Sequence, residues 1–96
     1  MDFRIIYTTS ALADLVTIFD WSAVKHPETT PAYLESLLDH VDQLSVFPFT
    51  GVPANKRVRT RILYHSPFRI YYEVRPKLRR IDILHVWHGR RRGPYS

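Results

Sequence analysis

The last fourteen residues, ILHVWHGRRRGPYS, bring together side chains that can handle protons and phosphate groups. The imidazoles of His85 and His88 can exchange a proton near neutral pH, and the arginines at positions 90–92 keep their charge and match phosphate oxygens bidentately. Cleavage of RNA by its own 2′-hydroxyl needs a proton acceptor, cations on the developing phosphorane and a proton donor for the leaving 5′ oxygen. A histidine, the arginines and either Tyr95 or Tyr71 could supply these functions.

The strands upstream of this tail are predicted to contribute a second set of arginines. After Lys56 the sequence alternates with period two, which is typical of strands with one buried face. Aromatic rings between the arginines could stack on nucleic-acid bases. The side chains expected to face the helices are Ile62, Tyr64, Phe68, Ile70 and Tyr72, and the anion-binding surface predicted on the opposite face comprises Arg59, Arg61, Arg69, Tyr71, His85 or His88, Arg90, Arg91 and Arg92.

Each of these residues also has an ordinary structural interpretation. A histidine in a strand is more often a hydrogen-bonded structural residue, and three arginines near a chain end most often form a solvated tip. Glu73 and Asp82 are the only acids after residue 55, so no carboxylate stands out as a partner for the histidines. The constellation therefore favours an anion-binding surface more strongly than a catalytic one.

No metal or cofactor site is expected. The chain lacks cysteine, which excludes disulfides and thiolate ligands. His85 and His88 are three positions apart, so on a strand they point to opposite faces and cannot share an ion. The three glycines, Gly51, Gly89 and Gly93, do not form a Walker loop, a dinucleotide fingerprint or a nucleophile elbow.

The charge is divided unevenly along the 96 residues. Residues 1–55 carry two Lys/Arg and seven Asp/Glu, a net charge of −5, whereas residues 56–96 carry twelve and two, a net charge of +10. This asymmetry favours an anionic partner for the second half, either nucleic acid or an acidic protein segment. The length predicts one domain over residues 1–96. Because the sequence has no apolar run of about 18 residues and no signal peptide, we expect a cytoplasmic protein without membrane contact.

The first half predicts one strand and two helices. Residues 2–7 are expected to form the strand, and a helix should follow until Pro27 stops it, with Asp14 in its first turn, where the helix dipole favours a carboxylate. Thr30 is expected to cap the second helix, and the short break predicts an antiparallel helical hairpin that covers a sheet. The buried stripes are expected at Leu12, Leu15, Val16, Phe19 and Ala23 in the first helix and at Leu34, Leu37, Leu38, Val41 and Leu44 in the second.

The second half predicts three strands, near residues 58–64, 68–75 and 81–88, in an antiparallel meander. The fold class is therefore α+β, with the order β-α-α-β-β-β and one sheet. The last strand is apolar on both faces, so we expect it to lie between its predecessor and the N-terminal strand, with part of its surface covered by another chain. Unbroken alternation would place Ile81, Ile83 and Trp87 on one face and Leu84 and Val86 on the other.

Four segments, ALADLVTIFDW, FPFTG, SPFRIYYEV and ILHVWHGRR, occur in this order over nearly the whole chain. Together they resemble the RelE/ParE superfamily of toxins from bacterial type II toxin–antitoxin modules. The resemblance implies the RelE/ParE fold and a toxin that arrests growth, contributes to plasmid stabilisation and is neutralised by an antitoxin encoded beside it. An acidic, partly disordered antitoxin segment would extend the toxin sheet or cover its basic groove, in a heterotetramer or on a toxin homodimer.

The superfamily divides by target. RelE-like members cleave mRNA on the ribosome, and the resemblance would assign that catalysis here to Arg61, Arg69, His88, Arg91 and Tyr95. ParE-like members poison DNA gyrase without a recognised catalytic set, and the helical hairpin, the FPFTG segment and the HGRR ending resemble them more closely. A ParE-like toxin that acts on gyrase is favoured; the alternatives are a ribosome-dependent endoribonuclease and a degenerate member that binds only its antitoxin or nucleic acid. Replacing Arg61 and Arg69 with alanine is expected to abolish growth arrest and leave the fold intact.

Overall fold

The structure is a computed structural model that describes residues 2–91. Within these residues the chain forms a strand, two helices and four further strands in that order. Short 3₁₀ turns follow the second helix, at Gln43–Ser45, and the fourth strand, at Pro76–Leu78. The bounds are Arg4–Tyr7 for β1, Thr9–Lys25 for α1, Thr30–Asp42 for α2, Val52–Pro53 for β2, Arg61–His65 for β3, Phe68–Arg75 for β4 and Arg80–His88 for β5.

All five described strands form one sheet in the spatial order β1-β5-β4-β3-β2. β3, β4 and β5 pair antiparallel, which confirms the predicted meander and the α+β class. β5 lies between β4 and β1 as predicted, but it runs parallel to β1, so the sheet is mixed. The two-residue strand β2, which the sequence did not predict, pairs with β3. Residues of α1 and α2 pack in one core on the same face of the sheet, termed the inner face; the opposite face is termed the outer face.

Thr8 connects the start of α1 to the centre of the sheet. Its hydroxyl accepts a hydrogen bond from the backbone N–H of Ala11 at 3.2 Å, which caps the helix. The same hydroxyl donates to the carbonyl of Ile83 at 2.8 Å and lies 3.2 Å from that of Leu84. One side chain therefore both caps α1 and fixes it against β5.

Asp14 does not lie in the first turn of α1, because the helix begins at Thr9. Its carboxylate instead accepts a hydrogen bond from the backbone N–H of Val86 at 3.0 Å. β1 pairs only with residues 80–83 of β5, so the rest of β5 has no strand partner on that side. α1 contacts β5 there, and Asp14 satisfies one of the edge donors.

The buried side of α1 agrees only in part with the stripe predicted from the apolar spacing: Leu15 packs on the core as predicted, but three other members do not. Ala11, Leu15 and Ile18 pack on the core. Leu12, Val16 and Phe19 are 51%, 60% and 43% exposed and follow one another at helical spacing on the surface. The helix is apolar on two sides, so periodicity alone could not decide which side contacts the sheet. The exposed residues Leu12, Val16 and Phe19 are termed the α1 stripe.

α2 largely follows its predicted pattern. Leu37, Val41 and the following Leu44 are buried in the core, as the apolar stripe indicated. Thr30 is the first helical residue and not the cap; its hydroxyl donates to the carbonyl of His26 at 2.6 Å across the connection between the helices. Neither of the described helices is long and apolar enough to span a membrane.

The FPFTG segment after α2 has a structural role. The buried hydroxyl of Tyr72 donates to the carbonyl of Pro48 at 2.9 Å and accepts from the N–H of Gly51 at 2.8 Å. A Cβ at position 51 would lie 2.6 Å from that hydroxyl oxygen and 2.7 Å from the carbonyl oxygen of Ile62. Burial raises the pKa of Tyr72, so its hydroxyl stays protonated. Glycine is therefore required here by close approach of the backbone.

A bulge in β5 changes which of its residues face the core. His85 and Ile83 pair with consecutive residues of β4, which leaves Leu84 as the extra residue. The bulge shifts the alternation by one position, so Val86 joins Ile83 on the inner face. His85 and Trp87 lie on the outer face. The prediction that Trp87 shares a face with Ile83 was wrong because it assumed unbroken alternation.

The prediction of which β3 side chains point toward the helices was also wrong. Leu63 lies on the inner face opposite Ile70, so its neighbours Ile62 and Tyr64 lie on the outer face, and Arg61 shares the side of Leu63. The run from position 62 to 64 is apolar throughout, so the hydrophobic pattern did not fix the register of this strand. The assignment for β4, where arginine and glutamate mark one face, was correct.

Candidate functional site

Side chains from three strands meet at one end of the outer face. Each cross-strand row there combines aromatic rings with basic or imidazole groups. The first row consists of Tyr64, Arg69 and Trp87, and the second consists of Ile62, Tyr71 and His85. We term the group formed by Arg69, Tyr71, His85, Trp87 and Arg91 the cation–aromatic cluster.

Tyr71 lies at the centre of the cation–aromatic cluster. It is only 1% exposed, although both described helices pack on the opposite, inner face. The guanidinium of Arg69 lies 5.7 Å from its ring centroid, and the rings of Trp87 and His85 lie 5.9 Å and 6.4 Å away. The arginine is within the range of a cation–π contact, and both rings meet Tyr71 edge to face. The neighbouring side chains thus bury this tyrosine.

Two arginines form the solvent side of the cluster. The guanidinium of Arg91 stacks over Trp87, 3.6 Å from the ring centroid, and the Nη2 group of Arg69 donates to the carbonyl of Arg91. Within residues 2–91 neither arginine has a carboxylate within ion-pair distance, so no acidic group of these residues compensates either charge. The Nε group of Arg69 is buried and has no hydrogen-bond partner among these residues, which is rare for a group that serves stability alone.

His85 has a carboxylate partner that the sequence did not reveal. Its Nδ1 atom lies 3.7 Å from the carboxylate of Asp14, which is fixed by its hydrogen bond from Val86. Its ring also lies 4.8 Å from that of Trp87. A carboxylate beside one ring nitrogen orients an imidazole. Asp14 lies in a helix 71 positions earlier, so only the fold brings this pair together.

At the other end of the outer face, arginine and carboxylate side chains neutralise one another. Asp82 accepts from Arg80 at 2.8 Å and from Arg75 at 3.2 Å, and Arg75 also lies 3.5 Å from Glu73. Burial raises the pKa of Asp82, but hydrogen bonds and charges from Arg80 and Arg75 outweigh it and hold the pKa below its usual value. The carboxylate therefore remains ionised and compensates the two arginines.

The predicted single basic surface does not exist as one unit. Arg61 lies toward the edge of the sheet and donates to the carbonyls of Gly51 at 2.9 Å and Phe49 at 3.3 Å. Arg59, in the loop before β3, lies beside it. These two arginines form a second basic region, separate from the cation–aromatic cluster. The prediction failed here because it depended on the register of β3.

The remaining predicted residues are distributed around the end of β5. His88 pairs with Phe68 on the inner side, with a ring distance of 5.6 Å, and its Nδ1 atom accepts from the backbone N–H of Arg90 at 3.0 Å. It therefore points away from His85, as the three-residue spacing predicted. The side chain of Arg90 is exposed. Arg92 and Tyr95 lie outside the described residues.

Nothing in the described part of the chain forms a metal site. Among residues 2–91 no three histidine, aspartate or glutamate side chains lie close enough together to hold an ion. His85 and His88 lie on opposite faces of β5.

The sequence relationship decides the family. The model of the family described as the ParE toxin of the type II toxin–antitoxin system, parDE, matches residues 5–93. The chain belongs to the ParE toxin family. No curated protein is significantly similar in sequence. The match covers both helices, β2 to β5 and all but the first residue of β1, so it applies to the whole fold and not to one motif.

Two solved structures have the same fold as this ParE-family chain. A structure of the chromosomal ParDE toxin–antitoxin system from P. aeruginosa aligns with a TM-score of 0.76 and 23% identity, covering 90% of this chain and 95% of the other. The RelBE2 toxin–antitoxin complex from Mycobacterium tuberculosis aligns with a TM-score of 0.68 and 22% identity, covering 92% and 99%. The ParE family and the RelE/ParE fold expected from the four segments are thereby confirmed.

Sequence reasoning missed three features of this ParE-family site: the Asp14 partner of His85, the outward position of Trp87 and the separation of Arg61 from Arg69. One sequence signal could have indicated the bulge and hence the position of Trp87. The apolar residues Ile81, Ile83 and Val86 are separated by two and then three positions, whereas an unbroken strand would keep a spacing of two. No local pattern indicates that a helical aspartate reaches a strand edge.

Proposed function

We propose that this ParE-family toxin arrests growth by binding DNA gyrase through the cation–aromatic cluster, and that it acts in the cytoplasm. The observation that carries the proposal is the dispersal of the residues expected to form a RelE-like catalytic set. Arg69 and Arg91 lie on the outer face, whereas Arg61 and His88 lie on the inner side of the strands. Groups that must act on one phosphate cannot do so from opposite faces of a sheet.

The chemistry of the cluster suits binding to a large partner. Arginine, tyrosine and tryptophan are enriched among the residues that dominate binding energy at protein interfaces, and here they lie adjacent to one another. Arg69 and Arg91 are held by ring contacts and by a hydrogen bond to main chain, so little side-chain freedom is lost on binding. The resemblance to ParE-like toxins, which poison gyrase, indicates the partner.

We also propose that a cognate antitoxin neutralises the toxin by covering the α1 stripe. Leu12, Val16 and Phe19 form an exposed apolar row on α1, which is unusual for a surface without a partner. An amphipathic segment that folds on contact would bury this row. Both aligned structures are toxin–antitoxin systems, which supports a partner of this kind.

A supercoiling assay tests the gyrase proposal. Purified toxin is incubated with gyrase, ATP and plasmid DNA, and protein is removed with detergent and protease before electrophoresis. Linear DNA that forms only when gyrase and toxin are both present is the expected result. Unchanged supercoiling at toxin concentrations well above that of gyrase would contradict it.

A ribosome-dependent endoribonuclease is the second candidate, and the Asp14–His85 pair favours it. An imidazole oriented by a carboxylate can accept a 2′-hydroxyl proton, and Arg69 and Arg91 on the same face could stabilise the charge of the phosphorane. Primer extension on mRNA after brief expression separates the candidates. Cuts in phase with codons, lost in Asp14→Asn and His85→Gln variants, would establish this candidate and exclude the first.

A further inference from the structure

A groove opens beside β4 where that strand extends beyond its neighbour. The last residue of β4 that pairs with β3 is Tyr72, opposite Arg61, yet β4 continues to Arg75. The loop before β3 and the turn after β4 flank this stretch and leave a groove of about 680 Å³. It is termed the edge groove, and its main lining residues are Phe49, Arg59, Arg61, Val74, Lys77 and Leu78.

The cations of the edge groove are not neutralised within the chain. Among the described residues, Arg59 and Lys77 have no carboxylate within ion-pair distance. Arg61 donates only to neutral backbone carbonyls, so its charge also remains. Arg75, which also lines the groove, differs because Asp82 and Glu73 compensate its charge. Three positive charges therefore surround a space open to solvent.

The edge groove is also apolar, which narrows the class of ligand. Phe49 and Leu78 are 57% and 60% exposed, and Val74 also lines the groove. The guanidinium of Arg61 lies 5.4 Å from the Phe49 ring, so cationic and apolar surfaces adjoin directly. A bare phosphate would leave the apolar walls in water, whereas an acidic peptide with one large apolar side chain would satisfy both surfaces.

We propose that the edge groove is a second antitoxin-binding site, which takes an acidic segment of the antitoxin with a large apolar side chain against Phe49 and Leu78. Carboxylates on either side of that side chain meet Arg59, Arg61 and Lys77. This assignment rests on the proposed antitoxin partner but not on gyrase as the target. It adds a site separate from both the α1 stripe and the cation–aromatic cluster.

Peptide binding tests the groove without requiring the antitoxin. Fluorescence anisotropy is measured with fluorescein-labelled peptides EDEFEDE and EDESEDE at an ionic strength of about 0.15 M, where the Debye length is about 8 Å. We expect the phenylalanine peptide to bind more tightly, and Arg59→Glu with Lys77→Glu to weaken it about tenfold or more. The matched control Lys56→Glu with Arg57→Glu removes the same charge beside the groove and should change affinity by no more than about twofold. Circular dichroism establishes that both double variants are folded.

Three results of this titration would overturn the inference. They are no binding by the wild type, equal loss in both charge-reversal variants, and displacement of the peptide by single-stranded oligothymidylate with the same dependence on Arg59 and Lys77. The last result would make the groove a nucleic-acid site.

Co-purification with the antitoxin from the neighbouring reading frame distinguishes failure of this inference from failure of the function on which it rests. If wild-type toxin captures no antitoxin, the antitoxin partner itself is wrong. If wild type and the Arg59→Glu, Lys77→Glu variant capture it with equal affinity, only the groove assignment is wrong. The expected result is capture by wild type, loss of about tenfold in affinity in the groove variant and no loss in the Lys56→Glu, Arg57→Glu control.

Discussion

The two ends of the outer face use arginine in opposite ways. At one end Arg75 and Arg80 bind the carboxylate of Asp82, so their charges are neutralised within the fold. At the other end Arg69 and Arg91 contact aromatic rings and have no acidic partner among residues 2–91. Both ends belong to the same two strands, yet only one presents free positive charge.

This difference separates structural arginines from those available to a partner. A guanidinium paired with a partly buried carboxylate stabilises the sheet, and binding an external anion would require that pair to break. A guanidinium held by rings keeps its charge and is already oriented. The number of arginines in the second half therefore overstates the basic surface, because the acids Glu73 and Asp82 neutralise one end of it.

The largest expected effect comes from removing the cluster arginines. Two interface arginines at about 2 kcal/mol each would weaken target binding roughly a thousandfold, so Arg69→Ala with Arg91→Ala should abolish growth arrest. Colony counts after induction measure the effect. The control Arg4→Ala with Arg57→Ala removes two exposed charges elsewhere and should remain toxic. A cluster variant that is expressed and still arrests growth would eliminate the distinction between the two ends.

Replacing Gly51 with alanine should produce the largest loss of stability. The added methyl group would press on the Tyr72 hydroxyl and on backbone, and overpacking of this kind costs about 1–3 kcal/mol. Urea denaturation measures the change, and Thr50→Ala serves as the neighbouring control on the exposed side of the turn. A loss below about 0.5 kcal/mol would show that the loop relaxes freely and that FPFTG does not have the structural role assigned to it.

Asp82→Asn should destabilise the neutralised end by about 2 kcal/mol, because three charged hydrogen bonds weaken and two arginines lose their counter-charge. Since the folded-state pKa of Asp82 is lowered, its contribution is present above the unfolded pKa and is lost as pH falls through the folded pKa. The variant should therefore show a weaker loss of stability in acid than the wild type. Unfolding curves between pH 2 and 6 measure this, and identical slopes would contradict it.

The smallest effect is expected at a pair of histidines on the inner side of the sheet, where β3 meets α2. The Nδ1 atoms of His40 and His65 lie 2.8 Å apart, and the ring of Tyr33 packs 5.6 Å from that of His65. Burial, with a smaller contribution from His40, lowers the pKa of His65, so the folded state binds its proton less readily than the unfolded chain. Stability should therefore decrease as pH falls below about 6.5, and His65→Gln should reduce that dependence. Thermal unfolding at pH 7.5 and 5.5 compares the two proteins; equal pH dependence would contradict the assignment.

The sequence predicted the order and type of the helices and strands better than it predicted which side of each one faces the core. β4 was assigned correctly because Arg69, Glu73 and Arg75 mark its outer face against apolar neighbours. β3 was assigned wrongly because three apolar residues in succession fit either register. The same reason explains α1, where apolar residues on two sides left its buried face undetermined. Pattern reasoning therefore succeeds where polar residues mark one side and fails where they do not.

The candidate site depended on tertiary details that local patterns do not contain. The bulge at Leu84 places His85 and Trp87 on the face that carries Arg69, and the position of α1 brings Asp14 to His85. Of the residues predicted to share one surface, Arg69, Tyr71, His85 and Arg91 do so, whereas Arg59 and Arg61 lie at the edge groove.

The most direct measurement of the central claim is gyrase-dependent DNA cleavage by three proteins in parallel: wild type, Arg69→Ala with Arg91→Ala, and Arg4→Ala with Arg57→Ala. With gyrase, ATP and supercoiled plasmid, the account predicts linear DNA from the wild type and the control variant and none from the cluster variant. Equal cleavage by all three folded proteins, or cleavage by none of them, would contradict it.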